Sequence, residues 1–266
     1  MKLYMIGNGF DRDHKLETSY NEFRTFIEKN DKDNPKFSDE LVELFPLNEY
    51  WSNFEEALSS PENEEKYKRL GYEEFFVVKM QEWFEKWIES INRKIKSDTV
   101  IKNFCFPERS VFFSFNYTDT LELMYDVDPK NIIHIHGNAA LKLFSDTNEK
   151  FIFGHSDENA RNSNESLIAR ETYKDTKQIW ENNQQVISDL IKNDIDEIVI
   201  IGFSYGLVDI YYFEKIKKMC AKDVKWILSY HDDSTKEKCI KFKDKLQLKD
   251  ENIKIIDDKE LKERIN

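Results

Sequence analysis

Glycine is scarce in this chain: 7 residues in 266, where ordinary usage would give roughly 19. A chain that keeps so few keeps them where the backbone has no substitute. Cysteine is scarcer still, with Cys105, Cys220 and Cys239 widely spaced, odd in number and without a C-x-x-C pair. That pattern excludes a disulfide framework and a structural four-cysteine zinc site, and leaves the thiols as small buried hydrophobes. No apolar run approaches the roughly 18 residues of a membrane span, and Leu3 to Ile6 is too short for a secretory core. The expectation is a cytoplasmic protein without a membrane partner. Positive charge is also in deficit, since 40 Lys and Arg against 52 Asp and Glu give 40 − 52 = −12. Such a field repels phosphate backbones and anionic headgroups, which disfavours nucleic acid as a partner.

What is present is a series of short apolar runs: Leu3 to Ile6, Val111 to Phe115, Ile132 to Ile135, Phe151 to Phe153, Ile198 to Ile201, Val224 to Ser229 and Ile253 to Ile256. Most are continuous rather than alternating. Continuous runs of Val, Ile and Phe between helical stretches predict strands buried on both faces, hence an α/β fold with a doubly wound, largely parallel sheet. From Thr18 to about Pro107 the apolar residues follow helical spacing instead, as in Phe76, Met80, Trp83, Phe84 and Trp87. The chain therefore reads as a single α/β domain over 1–266 with a helical insertion at 18–107 after the first strand. Further helices are expected over Ser166 to Lys192, Leu207 to Cys220 and Ser234 to Leu246. Asn30 to Asn34 and Ser156 to Glu165 read as loops, and no internal repeat is found. Six of the seven glycines fall at or just after the end of an apolar run, which is the edge of an open α/β sheet where ligands bind.

Four motifs carry chemistry. Ile6-Gly7-Asn8-Gly9-Phe10-Asp11 takes a strand into a G-x-G turn and a helix start, as dinucleotide sites do, but Arg12 stands where their third glycine would be. Ser114-Phe115-Asn116-Tyr117-Thr118-Asp119 again ends a strand; Thr118 or Asp119 is placed to cap the next helix, and the Asn116 amide to orient a water or a ribose hydroxyl. In Ile132-Ile133-His134-Ile135-His136-Gly137 the alternation sends both histidines to one face, with His136 at the tip as a general base. With His155 the pair could instead hold a metal, although acidic partners are not at tight spacing. Gly202-Phe203-Ser204-Tyr205-Gly206 matches a nucleophile elbow, yet only His231 follows it and few strands remain. A second glycine-lined nucleotide edge fits better.

Together these motifs resemble the AbiH-like family of bacterial phage-defence proteins. The likeness runs through Ile6 to Asp11 with His14, Leu16, Thr18 and Tyr20, then Trp51-Ser52-Asn53-Phe54-Glu55 and Phe115-Asn116-Tyr117-Thr118. It continues in His134-Ile135-His136-Gly137, Gly154-His155-Ser156 and Gly202 to Gly206 with Asp209, Tyr212 and Phe213. The family is in turn distantly similar to sirtuin-like, Rossmann-like NAD-binding proteins. That second resemblance implies a phosphate turn at Gly7, Asn8 and Gly9, a ribose- or water-orienting amide at Asn116, and a base at His136 before Gly137. It places Gly202 and Ser204 on the adenosine side, and Asp11 and Asp209 complete the ligand-binding set. Two departures stand out. Sirtuins carry an Asp two residues after the Asn, where this chain has Thr118, and their four-cysteine zinc ribbon is absent, which removes the support for protein deacylation.

The expected function is phage defence through binding of NAD, or a related nucleotide, and hydrolysis of its nicotinamide–ribose bond without a metal. Asn116 and His136 are the expected catalytic residues. A phage or host trigger and self-association are the further partners such a role implies. Two alternatives stand beside it. One is a non-catalytic nucleotide-sensing or partner-binding module with Trp51, Trp83 and Trp87 as its surface; the other is a metal-dependent hydrolase built on His134, His136 and His155.

Overall fold

The computed structural model describes residues 1–33, 36–97, 102–138, 151–162, 166–191, 195–206 and 208–265, with the backbone alone at 73, 74 and 97. Parts of the expected loops and helices, namely 34, 163–165, 192 and 207, lie outside the described residues. The chain packs as two compact units, one of Met1–Leu16, Lys94–Asn138 and Thr176–Asn266 and one of Glu17–Arg93 and Ala139–Asp175. The second therefore combines most of the 18–107 block with residues from 139–175, while 94–107 goes with the first.

The first unit holds the whole sheet. Its strands are β1 (Lys2–Ile6), β2 (Ser110–Ser114), β3 (Ile132–His134), β4 (Glu197–Ile201), β5 (Lys225–Tyr230) and β6 (Ile253–Asp257). They lie in the order β3-β2-β1-β4-β5-β6, and every neighbouring pair is parallel. This is the order of a Rossmann-type doubly wound sheet, with its switch point between β1 and β4, the place where such sheets bind ligands beyond the carboxyl ends of their strands. The continuous apolar runs have the expected cause. Tyr4, Ile6, Phe112, Val199, Ile201 and Ile227 pack into one buried cluster with Phe10 and Leu261, while Phe113 turns to the other face, its ring 5.9 Å from that of Tyr212.

Among the described residues, the helices of this unit include α1 (Asn8–Asp13), α8 (Thr120–Tyr125), α11 (Thr176–Leu190), α12 (Ile210–Met219), α13 (Asp233–Lys245) and α14 (Asp258–Ile265). The single helix expected over 166–192 is two, α10 (Leu167–Glu171) and α11, with Thr172 to Asp175 non-helical between them. No strand forms at Phe151 to Phe153. Those aromatics instead pack on Phe84 in the second unit, with ring centroids at 5.6 Å for Phe151 and 4.7 Å for Phe153. Being short, apolar and β-like, the run met a helix face rather than a sheet edge.

In the second unit, α2 (Tyr20–Asn30), α3 (Phe37–Leu44), α4 (Asn48–Ser52), α5 (Phe54–Ala57), α6 (Glu64–Leu70), α9 (Glu158–Asn162) and α10 pack with the part of α7 (Glu73–Ser97) up to Arg93. A capping box between Ser19 and Glu22 starts α2. Phe23 meets Phe84 and Trp87 at 5.4 and 5.0 Å, and Trp51 stacks on Phe54 at 4.8 Å. Trp51, Trp83 and Trp87 are all buried, so the aromatic surface imagined for a partner is core. Lys174 is fully buried too, and its Nζ reaches Glu55 Oε2 at 3.0 Å while Tyr20 donates to Glu55 Oε1 at 2.6 Å. Of the cysteines only Cys239 is buried; Cys105 is exposed and Cys220 half-buried, against the expectation for all three. Among the described residues no helix is long and apolar enough to cross a membrane.

Two glycines with similar backbone angles give a clean test of what the scarce glycines do. Gly71 has φ +71° with nothing within 4 Å of an added Cβ, whereas Gly202 has φ +64° and its Cβ would lie 2.1 Å from the Phe10 nitrogen. Gly71→Ala is expected to cost about 1–2 kcal/mol, the left-handed penalty alone. Gly202→Ala adds overpacking of about 1–3 kcal/mol, for a total of about 2–5 kcal/mol. Urea unfolding of both variants checks this; equal losses would mean that the crossing at Gly202 relaxes freely.

Candidate functional site

The turns that follow β1 and β4 are pressed together. Gly7 donates its N–H to Ile201 O at 2.9 Å and Gly9 donates to Gly202 O at 2.7 Å. A Cβ on Gly7 would meet Gly202 O at 2.7 Å, and one on Gly9 would meet Gly202 Cα at 2.7 Å. The three glycines are thus required by a close crossing of two backbones. This revises the expected phosphate turn, because the N–H groups of Gly7 and Gly9 are already spent on β4-side carbonyls. Asn8 and Ser204 remain exposed on the two turns.

The crossing fixes α1 and carries Asp11 inward. Asp11 is buried, not ligand-facing as expected, and accepts from Thr118 Oγ1 at 2.6 Å and from Thr120 Oγ1 at 2.8 Å. Burial raises its pKa from the ordinary 3.8 to about 6, against the opposing pull of hydrogen bonds from Thr118, Thr120 and Asn116 and of the His134 charge. A carboxylate from α1 is thus held one hydrogen bond away from Thr118. His14, also in the motif, is spent on Phe10 O at 2.7 Å and the Tyr125 hydroxyl at 2.6 Å, a structural role.

Asn116 stands just beyond β2. Its amide donates to Gly7 O at 3.1 Å, its N–H to Ser114 Oγ at 3.1 Å, and its own carbonyl accepts from His134 Nδ1 at 3.1 Å. Its side-chain Oδ1 is sealed from solvent without a hydrogen-bond partner. His134 has an acceptor at each ring nitrogen, since Nε2 meets Glu122 Oε1 at 2.8 Å. Burial alone would lower its pKa, but the hydrogen bond and charge of Glu122, with the Asn116 carbonyl and Asp119, raise it. With an acceptor at each ring nitrogen, the geometry around His134 suits the doubly protonated ring. Glu122 escaped the sequence reading because a Glu in a helix's first turn is ordinary. Asp119 does stand at the N-cap of α8, but its side chain caps nothing and accepts from Asn138 at 2.6 Å.

Asp119, Glu122 and His134 offer ligand atoms within 4.8 Å of one another and could hold a cation, provided that His134 first gives up its Nε2 proton. The expected metal triad would add His155 to His134 and His136. His155 lies in the second unit, where Nε2 donates to Ala169 O at 2.7 Å and Nδ1 accepts from the Asp157 N–H at 3.1 Å. Both of its nitrogens are occupied within that unit.

His136 lies at the tip of the β3 edge, 2% exposed, among the rings of Phe115, Tyr117 and Tyr212 at 5.8, 6.2 and 5.7 Å. Its neighbour Gly137 has φ +82°, a turn that suits glycine. Nε2 comes within 3.4 Å of Asp209 Oδ1, an ion-pair distance, yet the alignment is not that of a hydrogen bond and Nε2 has no other partner. Asn116, His136, Gly202 and Asp209 therefore gather at one sheet edge, on the carboxyl side of β1 to β4. His231, the sole histidine after Ser204, instead pairs with Asp232 beyond β5.

A family model described as bacteriophage abortive infection AbiH matches residues 3–77 and 62–230. Those spans take in every residue gathered at the sheet edge. No curated protein matches the chain.

Asp11 gives a pH test of this network. Its folded pKa of about 6 lies above the ordinary 3.8, so between these values the folded state holds more protons. Stability is then present at low pH and lost as pH rises through about 4 to 6. Asp11→Asn removes the titration. The wild type is expected to lose about 3 kcal/mol relative to this variant between about pH 4 and about pH 7. Urea unfolding at both pH values measures it, and a constant difference would show that Asp11 titrates as if exposed.

Proposed function

Because the chain belongs to the bacteriophage abortive-infection AbiH family, we propose that it acts in phage defence by binding NAD or a related nucleotide and hydrolysing the nicotinamide–ribose bond. The observation that carries this reading is a pair of buried polar side chains. Asn116 and His136, on the turns after β2 and β3, are 6% and 2% exposed, and each keeps a sealed polar atom without a hydrogen-bond partner. Buried groups left so are costly; a ligand or its water can satisfy Asn116 Oδ1, and closure of the site onto a ligand can bring His136 Nε2 onto Asp209.

The reaction needs little from the protein beyond placement. The bond from ribose C1′ to the pyridinium nitrogen breaks with its electron pair leaving on nicotinamide, and a water oxygen bonds to C1′. The water's proton passes to His136, giving ADP-ribose and nicotinamide. Asn116, whose Oδ1 accepts, orients the water or a ribose hydroxyl. Charge favours the same chemistry. Asp119, Glu122 and Asp209 lie about this edge, and an anionic surrounding stabilises the positive charge that develops on the ribose in the oxocarbenium-like transition state as neutral nicotinamide departs. The same carboxylates repel a pyrophosphate, so the phosphates fit the outer rim by exposed Asn8 and Ser204.

Purified protein incubated with NAD, without added metal, is expected to release nicotinamide. His136→Ala and Asn116→Ala are each expected to slow release at least 100-fold while keeping the fold. Chromatography of the products checks this. Equal release by all three proteins would overturn the assignment, and tight NAD binding without release would favour the sensing module.

A further inference from the structure

Asp209 counts above among the ligand-binding residues, but its place in the structure is beside His136. We infer that Asp209 is a positioning residue that holds the His136 ring in the Nε2–H tautomer, so that Nδ1 is the nitrogen that takes the proton. The inference rests on the NAD-hydrolase reading for its chemistry and on three features for its geometry. His136 Nε2 and Asp209 Oδ1 are 3.4 Å apart, with side chains 2% and 15% exposed. Asp209 is anchored immediately before α12, where its carbonyl accepts the Tyr212 N–H at 3.1 Å. The Tyr212 ring stands at 60° to the imidazole with centroids 5.7 Å apart, so one helix start presents both the carboxylate and a wall to His136.

The chemistry follows from what each atom can offer. An ionised carboxylate only accepts, so the ring nitrogen facing it carries the hydrogen. A neutral imidazole has one N–H, which leaves the lone pair on Nδ1. When Nδ1 takes the water's proton, the ring becomes an imidazolium and Asp209 opposes its charge directly. Separations of this kind tighten once a ligand closes the site. The general base is thereby specified to a single atom, which the motif His136-Gly137 does not do.

The experiment is nitrogen-15 NMR of the full chain labelled at histidine, on the alkaline side of neutrality, with the His136 signals assigned by their loss in His136→Gln. The wild type is expected to show Nε2–H. Asp209→Asn keeps an N-cap residue, and Asp209→Ser keeps one while withdrawing from the ring. Both are expected to move the proton partly or wholly to Nδ1. An Nδ1–H ring in the wild type, or an unchanged ring in both variants, would overturn the inference. NAD turnover in the same samples separates it from the reading it rests on. A kcat lowered roughly 10²- to 10⁴-fold in Asp209→Asn, with KM little changed, is expected alongside the tautomer shift. Wild-type turnover with no tautomer shift removes Asp209 and leaves the hydrolase; a tautomer shift without wild-type turnover removes the hydrolase and leaves the pair.

Discussion

The crossing of the turns after β1 and β4 is the constraint from which the sheet edge is built. Gly9 and Gly202 come so close that Cβ atoms are excluded at both, and the contact is sealed by the bond from the Gly9 N–H to the Gly202 carbonyl. Because that bond fixes the start of α1, Asp11 points inward and braces Thr118 and Thr120. The Gly7 carbonyl then receives the Asn116 amide. The Asn116 carbonyl receives His134, and His134 receives Glu122. One hydrogen-bonded course thus links β1, β2 and β3, and a distortion at the glycines is transmitted along it rather than absorbed in a loop. A chain with seven glycines spends three of them here.

The fold was largely legible because its signal is local. Six of the seven apolar runs are strands, and their continuity reported burial on both faces, which only a covered parallel sheet provides. The seventh, Phe151 to Phe153, is as apolar as the others, and nothing within it tells a strand from a segment lying on Phe84. Helix breaks at Thr172 to Asp175 are equally opaque, since that stretch is held through the buried pairing of Lys174 with a glutamate 119 residues away. The glycines read as necessary, and the structure adds a cause that the sequence does not carry, the close crossing of two backbones. A glycine that admits a ligand and one that admits another backbone look identical in one dimension.

The site was legible in its tips and not in its supports. Asn116 and His136 stood out because a polar residue directly after a buried strand has few reasons to be there. Glu122 and the inward turn of Asp11 did not stand out, because their partners His134, Thr118 and Thr120 become neighbours only when strands from distant parts of the chain are paired. The same applies to Asp209, which reads as a helix cap by type and position; its contact with His136 is a tertiary fact. Polar residues at strand tips stand out by type, whereas the groups packed against them are chosen by the fold.

Electrostatics decide what such an edge can favour. A cluster of carboxylates is costly to bury, and the cost is partly met by His134 on Glu122, the hydroxyls on Asp11 and the Asn138 amide on Asp119. The remaining negative potential is a liability in the empty protein and an asset for any ligand that develops positive charge at the edge. A ribose does so as its nicotinamide departs neutral and the charge passes to the oxocarbenium, and a phosphoanion does not. Under the proposed hydrolysis of NAD, the glycosidic end of the dinucleotide lies at this edge and its phosphates lie outside the cluster, where the turns after β1 and β4 meet solvent.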